Sequence, residues 1–283
     1  MQWSRIKTII LLLLALVNGF LLILVVTREG EAARRQTETI EAAVQILQQN
    51  GIQIEAEEIP QNMELVPYRV ERNRESEKQI ATTFLGETEE ENRGGDVFRY
   101  VSTEGKGSVQ FHSGGEFSAI FSTGAVPLGE EEPQEHAVRW MEAIGMTCEV
   151  LECEPEGENG SRVLLRQQWE GAPIYSCTAE FHYSNQELRS ITNGRRVTGT
   201  PGRDEQAVPV TLPTVLIRFL SYTSEWGDVS SQITRIETGY DFSASLTGTG
   251  RLTPVWRIDT ETKSYEIDAL TGAFTRTEDH TMQ

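Results

Sequence analysis

The residues best equipped for bond-making or metal chemistry are three cysteines and four histidines, and their spacing organises neither. Cys148, Cys153 and Cys177 contain no C-x-x-C pair, and an odd number gives no self-contained disulfide framework. Cys148 and Cys153 stand five apart, so a local bridge and two buried free thiols are both open to them. His112, His136, His182 and His280 belong to no H-E-x-x-H motif or His/Cys cluster, and a zinc site needs three or four ligands at matched spacing. His136, beside Glu135 on a predicted helix, reads as a solvated position, and His112 and His182 as edge or turn residues. Ser113-Gly114-Gly115 is a turn by composition, since no G-x-S-x-G elbow exists. Gly105-Lys106-Gly107-Ser108 lacks the phosphate-loop spacing and reads as a loop. Asp259 and Glu261 resemble a glycosidase carboxylate pair, but among 43 acids such pairs arise by chance. The expectation is a non-enzymatic chain with no catalytic residue, no cofactor and no metal.

What must position the rest is a hydrophobic stretch. From Thr8 to Val26 no side chain is charged and most are Leu, Ile or Val, while everything after Arg28 is polar and acidic. At about 1.5 Å per helical residue the run matches the ~30 Å of a bilayer core. It is longer than the ~7–15 residues of a signal-peptide core, and Val26-Thr27-Arg28-Glu29-Gly30 carries no small-x-small cleavage pattern. The sequence therefore predicts a retained transmembrane anchor over 6–26, flanked by Trp3, Arg5 and Lys7, with a cytoplasmic tail over 1–5 and an extracytoplasmic body. Within the run, Ala15 and Gly19 have small-xxx-small spacing and Asn18 offers an amide. These three are candidate contacts for a partner helix.

The net charge of −18, from 25 basic and 43 acidic residues, argues against nucleic acid or anionic lipid as a partner of the body, because both need a basic surface. Asn159-Gly160-Ser161 is a glycosylation sequon only in a host that modifies secreted chains.

The remaining pattern predicts an α+β fold. A helix over Glu31–Gln49 carries Ile40, Ala43, Val44 and Leu47 on one face and stops at Asn50-Gly51. A shorter helix near Glu77–Leu85 precedes a charged loop, Glu87–Gly95, and then strands at 97–101, 108–111 and 117–121. These form a first module over 27–129. The second region, 130–283, has helices opened by Pro133 and Pro213, with strands at 148–153, 162–169, 174–183, 188–191, 233–240, 255–259 and 264–267. Ala172-Pro173-Ile174-Tyr175 is echoed by Thr253-Pro254-Val255-Trp256, which predicts repeated helix-on-antiparallel-sheet modules behind the transmembrane helix. Alternation places Trp256 and Ile258 in the core, opposite Arg257 and Asp259.

The opening Met1-Gln2-Trp3-Ser4-Arg5-Ile6-Lys7-Thr8-Ile9, with Asn18 inside the run behind it, resembles the start of YycI-type proteins. Leu252-Thr253-Pro254-Val255-Trp256-Arg257-Ile258 and Tyr265-Glu266-Ile267-Asp268-Ala269-Leu270-Thr271-Gly272 are similar to their ending and to PepSY-type modules, and Gln167-Gln168-Trp169-Glu170-Gly171-Ala172-Pro173-Ile174 fits the same pattern. The intervening segments diverge, and neither the acidic stretch Glu87–Gly95 nor the cysteines match. The resemblance implies a single-pass protein of the Gram-positive cell membrane with two PepSY-like repeats in its C-terminal region. Its partners would be a YycH-like homologue and the sensor histidine kinase of a cell-wall two-component system. The rival expectation is a PepSY-like extracytoplasmic inhibitor or chaperone of a hydrolase.

Overall fold

A computed structural model of the chain describes residues 2–55, 59–60, 66–228, 230–245 and 248–277. Within its first helix side chains are described at 7, 14, 16–22 and from 34 onward, and in its last strand to 275. The chain divides into two compact units. One comprises 1–54 with 211–232, the other 55–210 with 233–283.

The first unit is helical. Helix α1 (Gln2–Gln49) runs unbroken for 48 residues. It ends where Gly51 takes φ +86° and Ile52 N donates back to Leu47 O at 3.0 Å, ahead of the short strand β1 (Gln53–Ile54). Its C-terminal part, with Ala43 and Leu47 buried, packs on α4 (Leu212–Trp226), a helix opened by Pro213 and closed by left-handed Gly227.

The expected fold class is corrected on two counts. Among the described residues no helix is long and apolar enough to cross a membrane. That overturns the spanning anchor over 6–26: the apolar run is the leading part of a helix that continues through Arg28, Glu29, Glu31, Arg34 and Arg35. The expected separate antiparallel modules are also replaced. Strands outweigh helices, and those of the second unit join in a large mixed sheet.

The second unit begins with β2 (Tyr68–Glu71) and α2 (Arg74–Leu85), followed by the meander β3 (Thr88–Gly94), β4 (Val97–Ser102), β5 (Gly107–Phe111) and β6 (Glu116–Phe121). Next come α3 (Pro133–Ala143) and a second meander, β7 (Cys148–Glu156), β8 (Gly160–Trp169), β9 (Ala172–Ser184) and β10 (Glu187–Arg195). After the short β11 (Pro201–Arg203), the unit resumes with β12 (Gln232–Ala244), β13 (Thr249–Thr260), β14 (Ser264–Asp268) and β15 (Phe274–Thr277). The order β11-β2-β13-β12-β9-β10-β6-β5-β4-β3 makes β9 the junction. This long strand pairs antiparallel with β8 and β10, and parallel with β12 at Ile174↔Tyr240. The parallel step fuses the two echoed segments into one sheet.

Local chemistry explains the turns. Asn185 and Gln186, both with positive φ, form the two-residue β9–β10 hairpin, and Glu170-Gly171 does the same between β8 and β9. Thr88–Gly94, expected as a loop, is instead the edge strand β3, paired with β4 and turning its acids outward to water. Charged edges of this kind resist pairing with other chains. The main core lies beneath α2 and α3, where Phe84, Phe121 and Trp140 meet with ring centroids 4.9–6.5 Å apart. A second core gathers Tyr68, Val70, Ile174, Val197, Phe242 and Leu252. Trp256 and Ile258 are buried, and across the strand Arg257 pairs with Asp259 at 3.0 Å.

Candidate functional site

The most concentrated buried charge lies at the start of α2. Asn73 caps this helix, its Oδ1 accepting from the backbone N of Glu75 at 3.0 Å and of Ser76 at 3.2 Å. Glu77 belongs to the same helical face as Ile80, Ala81 and Phe84, so folding carries a carboxylate into the core, and its side chain is 0% exposed. Arg72 meets it from both prongs, Nε to Oε1 at 2.7 Å and Nη2 to Oε2 at 3.1 Å, and reaches Asp96 through Nη1. Arg196, from the segment after β10, approaches Oε1 through Nη2 at 3.3 Å. Its Nη1 donates to Val197 O at 3.0 Å, and its buried Nε has no hydrogen-bond partner.

Two buried guanidinium groups thus share one buried carboxylate, and the other acid, Asp96, is half-exposed. The electrostatics separate the two arginines. Burial also acts on Arg72, but the hydrogen bond and charge of Glu77, with Asp96, outweigh it and raise its pKa. Burial dominates at Arg196 and, despite Glu77, lowers its pKa to about 10.

Arg196 also lines a cleft of about 540 Å³. One wall is α2 from Asn73 to Thr83; another is the connection from α3 to β7, Ala143–Thr147. The end of β8, Gln167–Glu170, and the segment Gly199–Pro201 complete it. Ile80, Met146, Gln167, Arg196 and Val197 are buried at its base, whereas Asn73, Gln79, Thr83 and Glu170 stand exposed around it. Gln167 Oε1 accepts from Val197 N at 3.2 Å. Glu170 accepts the Tyr68 hydroxyl at 2.7 Å.

The residues singled out from sequence lie elsewhere. Ala15, Trp3 and Arg5 have side chains outside the described set. Asn18 is exposed on α1 and its Nδ2 donates to Leu14 O at 3.0 Å; a Cβ at Gly19 would meet nothing within 4 Å. Lys7 is exposed. The three cysteines are free. Burial pushes the thiols of Cys148 and Cys177 up to about 12, which leaves them protonated and poorly nucleophilic.

His136 reverses its expected exposure. It is 1% exposed, its Nδ1 lies 3.0 Å from the buried Tyr183 hydroxyl, and burial followed by the charge of Arg139 lowers its pKa. His182 lies near the end of β9, a strand flanked by β8 and β10 and so not an edge, with Glu156 at 2.9 Å and Thr192 at 2.7 Å, and His280 lies outside the described residues. Among the described residues, no group of three or more His, Cys, Asp or Glu is placed to hold a metal ion.

Sequence reasoning passed over Arg72, Glu77 and Arg196. A signal was present, for Glu77 precedes Ile80, Ala81 and Phe84 by three, four and seven positions, the spacing of one buried helical stripe.

No family model matches the chain, and no curated protein matches it. Among solved structures it is similar to a crystal structure of an uncharacterised protein from Eubacterium rectale ATCC 33656. That likeness has 10% identity and a TM-score of 0.43, and covers 76% of this chain and 86% of the other.

Proposed function

We propose that this chain is a non-enzymatic regulator that works by protein–protein contact, with a sensor histidine kinase as the partner implied by the YycI-type resemblance. One observation carries the reading. Leu14, Leu16, Val17, Phe20, Leu21 and Leu22 on α1 are large, apolar and 46–69% exposed. A contiguous apolar surface of this kind is costly in water and marks a contact site. These positions lie all round the helix, so a partner must enclose α1 and not merely cover one stripe. Gly19, with nothing near its missing Cβ, permits a second backbone to come close.

Regulation follows if the partner's two signalling states offer α1 different contact energy; a difference of about 1.4 kcal/mol shifts their ratio tenfold. The test is recovery of the kinase with affinity-purified full chain. Replacing Ala15 and Gly19 together with Leu should obstruct close approach and reduce recovery several-fold, with the second unit still folded by circular dichroism. Unchanged recovery sinks the α1 contact. Control of a hydrolase in the absence of any kinase complex would favour the rival inhibitor reading.

A further inference from the structure

We propose that the cleft between α2, the α3–β7 connection and the segment after β10 binds a small carboxylate-bearing molecule with an apolar body, its carboxylate received by Arg196 and the Gln167 amide. This reading concerns a different surface from α1 and does not depend on the kinase contact.

Arg196 is short of hydrogen-bond acceptors. Glu77 is already held by both prongs of Arg72, so Arg196 takes from it a single 3.3 Å contact, beside the Val197 carbonyl on Nη1 and the Phe111 ring, whose centroid lies 5.1 Å from its guanidinium carbon. Arg196 is 3% exposed, lines the cleft and keeps an unpartnered Nε. A buried cation without a full complement of acceptors is expensive, and an entering carboxylate reduces that cost. Beside it, Gln167 uses Oε1 to accept from Val197 N, and its Nε2 has no protein partner among the described residues. Both side chains line the cleft and both are tied to Val197, Arg196 through its carbonyl and Gln167 through its N–H. The α2 N-terminus borders the same space, and its dipole adds positive potential.

The remaining lining fixes the ligand's other features. Ile80 and Met146 supply apolar contact, whereas Asn73 and Gln79 offer neutral polar groups. The volume of about 540 Å³ lies in the range of small-molecule sites. In a chain of net charge −18, an anion must be captured by a local positive centre and not by the general field. Exposed Glu170 at the opening disfavours di- and polyanions and so points to a single carboxylate.

N-acetyl-leucine, which joins a carboxylate, a neutral amide and an apolar side chain, is the probe; N-acetyl-leucinamide is the control. Titration of the full chain by NMR should give saturable shifts with the acid and at least tenfold weaker binding of the amide. Gln167→Glu keeps the acceptor for Val197 N but sets a negative charge against the ligand, and should abolish the preference for the acid. Thr83→Trp, at an exposed position of α2, should exclude both compounds while leaving the core intact. Equal binding of acid and amide, no saturable binding of either, or unchanged affinity in Thr83→Trp would overturn the proposal.

Discussion

At the scale of single residues, the molecule commits most to Glu77. Among the described residues this carboxylate is the one fully buried anion of the Arg72–Arg196 group, and removing it leaves two buried cations with the half-exposed Asp96 on Arg72 alone. Breaking a buried pair from one side costs about 3–5 kcal/mol. Glu77→Ala is therefore expected to lower the urea midpoint of the second unit by that equivalent, whereas an exposed acid such as Glu89 replaced by Ala should change it little. His136 adds a pH dependence of defined sign. Its pKa is lowered in the folded protein, so the unfolded chain binds the proton more readily. The stabilisation it provides is complete above about pH 6.5, the unfolded value, and is lost as pH falls from there through the lowered folded value. Unfolding measured between pH 7.5 and 5 should show wild type losing stability relative to His136→Gln on the acid side. Parallel curves would refute the role of this ring.

Elements were legible where the chain repeats a period and opaque where pairing is remote. The stripes of α2 and α3, the proline starts and the alternation through β4, β5 and β6 follow from neighbours a few residues apart. Three things did not. Strand β3 has no apolar face of its own and is a strand only because β4 offers its backbone, so its acids read as a loop. The parallel contact of β9 with β12 joins segments far apart in sequence, beyond any local pattern. The apolar opening read as a self-contained segment, whereas α1 runs on through the charged residues behind it. The buried charge group belongs to the same class: Glu77 was visible on its stripe, but Arg72 and Arg196 reach it from different segments. Close strand packing makes its own prediction. Gly107 has φ +141°, and a Cβ there would stand 2.1 Å from Ile120 O. Gly107→Ala must push β5 from β6 and should cost roughly 1–3 kcal/mol, read as a lower thermal midpoint. A midpoint equal to wild type would show that the β5–β6 register gives way freely.

For the whole molecule, two surfaces are proposed to serve two kinds of recognition. The apolar part of α1 is proposed to meet a protein, and the Arg196 cleft a small carboxylate. Neither assignment involves bond-making. The α1 contact matters most, because regulation has no mechanism without a contact that senses the partner's state. The most direct measurement is quantitative co-purification of the sensor histidine kinase with the full chain, comparing wild type with a variant in which Leu16, Phe20 and Leu21 are serine. The account predicts kinase with the wild-type chain, a loss of at least tenfold with the variant, and unaltered folding of the second unit in both. Equal recovery from both, or none with wild type, would contradict it.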